Sequence, residues 1–152
     1  MKKIAFLVIG IALLMSACGQ IKADVPDNPD AKATQALVQE WMAVSKANDY
    51  QKLIALYADD LVWMDYGDNY GPLDKGNLSY DLQYESGPEQ MKLKYKSYLV
   101  TSNGHCAVIQ ATFSTHARST GKWVSMPAIA ILEFKDGKIV RESWYYNNNA
   151  MY

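Results

Sequence analysis

The chain has 152 residues, a formal net charge of −1, 49% apolar and 20% charged residues, and two cysteines. That is the length of one ordinary domain, with apolar content inside the usual globular range, so a core is possible without disulfide staples. Near-neutral charge excludes the basic footprint of a nucleic-acid binder.

At the N-terminus Lys2 and Lys3 precede an apolar run over residues 4–15, then Ser16, Ala17 and Cys18. A charged start, a short apolar centre and small residues at the cut describe a secretory signal peptide, too short for the ~20 residues that span a bilayer. Leu14-Met15-Ser16-Ala17-Cys18 resembles a bacterial lipobox. That resemblance implies removal of residues 1–17 and acylation of Cys18, and several acyl chains at ~0.8 kcal/mol per buried CH₂ make a stable anchor. Gly19 after the cysteine implies an outer membrane destination, facing the periplasm, in a Gram-negative cell; in either cell type the expected location is the envelope. The cut removes two of the fifteen basic residues and no acid, leaving 13 against 16, a net −3. Residues 18–30 read as the acylated cysteine and a flexible tether, and residues 31–152 as the domain. With Cys18 acylated, Cys106 has no partner and is expected as a buried strand thiol rather than a nucleophile.

Over residues 31–48, Leu37, Val38, Trp41, Met42 and Val44 form one helical stripe, with Asn28 or Asp30 as cap and Pro29 in the first turn. Asp49 can cap a shorter helix with Leu53, Ile54, Leu56 and Tyr57 on one face. Asp59-Asp60 is expected to end that helix, and Leu61 to begin the first strand. Residues 66–90 are too long to be featureless. Within them, residues 78–85 alternate apolar and polar, which favours a strand, although Leu78 and Leu82 also fit a short helix. Met91-Lys92-Leu93-Lys94-Tyr95-Lys96 alternates strictly and puts three lysines on a solvated face. Strands follow at 105–118, 122–135 and 138–147, joined by Ser102-Asn103-Gly104, Ser119-Thr120-Gly121 and Asp136-Gly137. The expected class is α+β, with N-terminal helices packed on a strongly curved antiparallel meander. Repeats and low-complexity segments are absent from the sequence.

Gln39-Glu40-Trp41, Asn48-Asp49, Ala55-Leu56-Tyr57-Ala58-Asp59-Asp60 and Trp63-Met64-Asp65 resemble the opening of the nuclear transport factor 2-like superfamily. Phe134-Lys135-Asp136-Gly137-Lys138-Ile139-Val140 and Trp144-Tyr145-Tyr146 resemble the last hairpin of its SnoaL-like branch. The resemblance implies a cone: a bent sheet wrapped round helices, with a pocket at the open end. It does not fix a function, since one scaffold hosts many. Laid on ketosteroid isomerase within that superfamily, the general base falls on Asp65, the oxyanion-binding tyrosine on Trp41, and the second, protonated aspartate on Ala130. That enzyme needs both oxyanion donors, so ketosteroid isomerisation itself is not expected. The cyclase branch often carries an acid after its Trp-x-Tyr pattern, where this chain has Asn147-Asn148-Asn149. The dehydratase branch uses histidines, and only His105 and His116 are present.

Asp65 and Trp41 are therefore the candidate catalytic pair. Between Trp63, Met64 and Tyr66 the Asp65 carboxyl has an apolar setting that raises its pKa towards base work; the other reading is a solvated aspartate opening the Tyr66-Gly67-Asp68-Asn69 turn. Trp41 is equally a core residue of its helix. If Ala130 faces the pocket, so do Ala128 and Leu132, and the facing register brings in Glu142, Trp144 and Tyr146. Glu142 is a second candidate acid or a solvated end-of-sheet residue. Tyr57 and Trp63 complete the candidate ligand contacts. Tyr66, Tyr70, Tyr80 and Tyr84 at the rim raise carbohydrate stacking as a minor reading. The sequence has no metal-ligand spacing and no phosphate loop, and no cofactor is expected. The leading expectation is a lipid-anchored envelope protein that binds a small, largely apolar molecule. The alternatives are an acid–base isomerase, lyase or cyclase with Asp65 as base, and an interaction module forming a homodimer through its sheet face. The membrane is engaged through the lipid alone, and no nucleic acid is bound.

Overall fold

The structure, a computed structural model, describes residues 21–84, 91–117 and 119–152. The segment read as a signal peptide and Cys18 lie outside the described residues. A short strand β1 (Lys22–Asp24) precedes helices α1 (Pro29–Lys46) and α2 (Tyr50–Leu56). Strands β2 (Tyr57–Asp65) and β3 (Tyr70–Leu73), helix α3 (Lys75–Tyr84) and four long strands follow: β4 (Met91–Val100), β5 (Cys106–His116), β6 (Trp123–Lys135) and β7 (Lys138–Tyr146). A 3₁₀ turn over Asn148–Met151 ends the chain.

The seven strands form one sheet in the order β1-β4-β5-β6-β7-β2-β3. The β4–β7 meander is antiparallel, whereas β2 pairs with β7, and β1 with β4, in parallel. Register shifts fall between Tyr95 and Ser97 and between Glu133 and Phe134, and each extra residue bends its strand. The sheet curls without closing, and α1–α3 occupy the hollow. Along β6 the alternation is strict: Met126, Ala128, Ala130, Leu132 and Phe134 are buried while Ser125, Pro127, Ile129, Glu133 and Lys135 face solvent.

Helix α1 begins at Asn28, whose Oδ1 accepts from the Ala31 amide at 2.8 Å, and Pro29 takes the first helical position, where a missing N–H costs nothing. Its inner stripe is Ala31, Thr34, Val38, Trp41, Met42 and Val44. The helix start rests on the β4–β5 turn, where Gly104 has φ +69 and an added Cβ would stand 2.7 Å from the Asp30 carbonyl. Glycine is needed there twice over, for the left-handed backbone and for the contact.

Three expectations change. Asp59 and Asp60 do not end α2; they lie inside β2, which starts at Tyr57 because the chain leaves the helix there in extended backbone. Residues 78–84 are helical, not a strand: Asp74 accepts from the Asn77 amide at the start of α3, and Leu78 and Leu82, one turn apart, are buried on one side. The alternation was real but coincided with a helical pair. Finally, Lys22–Asp24, within the segment read as tether, adds as an edge strand beside Ser97–Leu99.

Candidate functional site

At the open end of the curl lies a cavity of about 330 Å³. Trp41 and Ser45 from α1, Tyr50 and Leu53 from α2, and Leu78 and Leu82 from α3 form one side. Opposite stand Trp63 and Asp65 from β2, Leu93 from β4, Phe113 from β5, and Glu142, Trp144 and Tyr146 from β7. The parallel pairing of β2 on β7 sets this arrangement, because Trp63 lies beside Glu142 and Asp65 beside Trp144.

Glu142 is the centre of the wall. It is 4% exposed, and its carboxylate receives four donors. Oε2 accepts from Tyr57 Oη at 2.6 Å and Trp41 Nε1 at 2.9 Å, and Oε1 from Trp144 Nε1 at 2.7 Å and Trp63 Nε1 at 3.1 Å. An indole N–H can only donate, so three of the four groups have no role here except to face an acceptor. The cluster ties α1, β2 and β7 together through one carboxyl. Burial pushes the Glu142 pKa up, and the four hydrogen bonds pull against that rise. Burial and the adjacent carboxylate hold the Tyr57 phenol well above its usual range. The reading of Glu142 as a solvated end-of-sheet residue is thereby overturned: its place opposite Leu132 in the β6–β7 ladder points it inward.

Asp65 sits at the end of β2, half-buried. Its Oδ1 accepts from the amides of Gly67 and Asp68 at 2.8 and 3.0 Å, so it does open the turn. Its Oδ2 accepts from Tyr146 Oη at 2.6 Å and belongs to the cavity wall. The two readings of Asp65 are therefore not exclusive. Burial raises its pKa, and the Tyr146, Asp68 and Gly67 hydrogen bonds oppose that shift. Gly67 keeps this geometry, because a Cβ there would meet the Tyr146 ring at 2.5 Å.

Of the residues named from sequence, Trp41, Tyr57, Trp63, Asp65, Glu142, Trp144 and Tyr146 come together on the cavity. Ala128, Ala130 and Leu132 do not line it. They face inward as the alternation requires, but their short side chains belong to the same buried core as Val38, Trp41 and Trp144, and those larger groups form the surface a ligand would meet. Trp41 is also corrected in its chemistry: its N–H is directed at Glu142, not offered to the cavity. His105 and His116 are exposed on the sheet ends, and His116 packs edge-on against Trp123. Cys106, half-buried at the start of β5, has its thiol pKa raised by burial and by Glu133, the opposite of an activated nucleophile. Tyr66 stacks on Tyr145 at 4.7 Å outside the cavity, Tyr80 is exposed, and Tyr70 alone of these three is in the wall. Phe113, Leu93, Leu78 and Asp81, also in the wall, were not among the site residues named from the sequence. The alternation of β4 could have found Leu93, and the Leu78–Leu82 spacing the helix that brings in Asp81.

The SnoaL-like domain family matches residues 38–142. A comparison with curated proteins finds no match. Among solved structures, a protein of Xanthomonas campestris pv. campestris that bears a polyketide cyclase name superposes with a TM-score of 0.66 at 17% identity, over 78% of this chain and 93% of that one. An LEH-like epoxide hydrolase of M. tuberculosis gives 0.66 at 17% identity, over 81% and 89%. A protein of ketosteroid isomerase-like fold from Catenulispora acidiphila, in complex with trimethylamine, gives 0.64 at 16% identity, over 76% and 88%. At such identities the likeness is one of fold.

Proposed function

The chain belongs to the SnoaL-like domain family, and from that footing we propose that it is a lipid-anchored envelope protein whose cone pocket binds a small, largely apolar molecule. The observation that carries the reading is the cavity of about 330 Å³, with a wall mainly of aromatic rings and leucines and a few fixed carboxyl groups. That size and composition are those of a small-ligand site. The test is thermal denaturation of the full chain in a neutral maltoside detergent against flat phenols, sterols, polyketide-like rings, oligosaccharides and amines. One structural neighbour holds trimethylamine, which is the reason for the amines. A ligand stabilises by RT ln(1 + [L]/Kd), so weak binders register at high concentration; no shift with any class sinks the proposal. The anchor rests on Leu14-Met15-Ser16-Ala17-Cys18, with residues 1–17 removed and the acylated Cys18 and following residues joining the domain to the envelope membrane. Labelled palmitate incorporated by the wild type and not by Cys18→Ala supports it; equal labelling refutes it.

A second reading is favoured by one group. Asp65 is half-buried in the cavity wall with its pKa raised by burial, the condition of a carboxylate general base in an isomerase, lyase or cyclase. Trp41 would act in it only through Glu142. Base-catalysed exchange of an α-proton of a flat ketone into D₂O, present in the wild type and lost in Asp65→Asn, supports this reading; exchange equal in both removes Asp65 from it.

A further inference from the structure

Strand β1 lies in the segment between Cys18 and helix α1, and its pairing sets the course of that segment. It runs parallel to β4, with Lys22 beside Ser97 and Asp24 beside Leu99. The chain therefore enters β1 from the side on which β4 begins. That is also the side of the cavity. Met91 and Thr115, paired at the start of β4, and the next inward pair, Leu93 and Phe113, all stand in its wall. The last residues of β2 and β7, Asp65 and Tyr146, belong to the same wall. With residues 22–24 held in the sheet, only residues 19–21 separate them from Cys18. Those four steps from Cys18 to Lys22 span at most about 14 Å. An unpaired tether of the full length would reach much further and leave the orientation of the domain open.

The described residues at that end include several suited to a lipid surface. Trp123, at the start of β6, is exposed, with the Lys92 ammonium 4.2 Å from its ring centre. Tyr66 and Tyr70, on either side of the turn after β2, are exposed as well. Tryptophan and tyrosine favour the headgroup level of a bilayer, where an apolar ring and a polar edge are both satisfied, and lysine stems extend along it. Charges of both signs occur here, Lys92 and Lys122 with Asp68 and Asp81. The contact therefore rests on rings and the covalent anchor, not on attraction to anionic lipid. We propose that the anchored chain stands with its cavity mouth against the bilayer and Trp123 at the lipid headgroups. This rests on the lipid anchor proposed above. Met91, Leu93 and Phe113 give such an opening apolar sides, and a molecule dissolved in that leaflet lies next to the mouth.

The test uses the full chain, expressed in a bacterium and reconstituted in phosphatidylcholine vesicles with and without a lipid that carries a nitroxide on its headgroup. Indole fluorescence is the readout. Trp41, Trp63 and Trp144 are turned in on Glu142, so Trp123 is the indole at the surface. The nitroxide is expected to quench the wild type, and Trp123→Phe to lose most of that quenching. Lys135→Trp, added to Trp123→Phe, puts an indole at the other end of β6, about 40 Å away along the strand. It is expected not to restore the quenching. Both positions are exposed, so both variants are expected to fold. Equal signals from wild type and Trp123→Phe, or quenching restored by Lys135→Trp, overturn this orientation; flotation of the same chains with the vesicles leaves the anchor standing. Wild type that fails to float, like Cys18→Ala, overturns the anchor and the orientation together and does not touch the ligand site.

Discussion

Glu142 brings a carboxyl into the interior where no cation among the described residues meets it, and its four donors are what make that tolerable. Replacing it with glutamine sets an NH₂ among groups that also donate; Tyr57 can turn its hydroxyl to accept, but an indole cannot. An unsatisfied buried donor costs ~1–3 kcal/mol, partly offset because a neutral amide is cheaper to bury than an anion. Glu142→Gln is therefore expected to lower stability by about 2 kcal/mol in chemical denaturation. The pH dependence follows from the raised pKa. Between the ordinary value of 4.5 and the higher folded value, the folded state holds a proton that the unfolded state has released. Stability therefore falls as pH rises through that window, and acidification from neutral towards pH 5 is expected to raise the melting temperature of the wild type. Asp65, raised from 3.8 by burial, contributes with the same sign, so Glu142→Gln flattens the profile without abolishing it. A melting temperature that falls on the same acidification refutes this assignment. Asp65→Asn keeps an oxygen for the Gly67 and Asp68 amides and is expected to fold, with a loss under about 1 kcal/mol; unfolding of that variant would make Asp65 a turn residue above all.

The elements differ in how firmly the sequence specified them. Helix α1 is over-determined, since Asn28 caps it, Pro29 starts it and a six-residue stripe packs it. Asn28→Ala is expected to cost about 1 kcal/mol, the usual worth of an N-cap, and more if its donation to the Ser102 carbonyl also counts. Helix α3 is the opposite case. Its period-two pattern, Leu78-Ser79-Tyr80-Asp81-Leu82, fits a strand as well as a helix, and what selects the helix is the Asp74 start and the hollow that Leu78 and Leu82 fill. Leu78 is 2% exposed and also in the cavity wall. Leu78→Ala is expected to cost about 3 kcal/mol as a large-to-small core change. A cost below about 1 kcal/mol in the same denaturation would mean that α3 is not anchored there.

For the molecule as a whole, the outer sheet face remains to be accounted for. Leu99, Ile129 and Tyr145 on it are 44%, 40% and 41% exposed, Ile129 pairs directly with Tyr145, and Val108 and Ile131 link this row to Leu99. The third reading, a homodimer packed sheet to sheet, would use this apolar strip. Sedimentation velocity is expected to give a dimer for the wild type and a monomer for Ile129→Lys; a monomeric wild type excludes the dimer. Lys92, Lys94 and Lys96 of β4 are exposed on the same outer side.

By itself the sequence determined the α+β class, the caps of α1 and α2 and the β4–β7 meander, because capping, turn chemistry and alternation act over a few residues. It also named part of the cavity wall, because strand alternation decides which side chains face inward. It did not decide which inward residues reach the cavity, and Ala128, Ala130 and Leu132 lie in the core below larger neighbours. Nor did it decide that Trp41, Tyr57, Trp63 and Trp144 would converge on Glu142. That meeting joins residues up to 101 positions apart and depends on the parallel pairing of β2 with β7, a long-range register that no local pattern encodes. A carboxylate's neighbours, and hence its charge and its purpose, are properties of the folded chain alone.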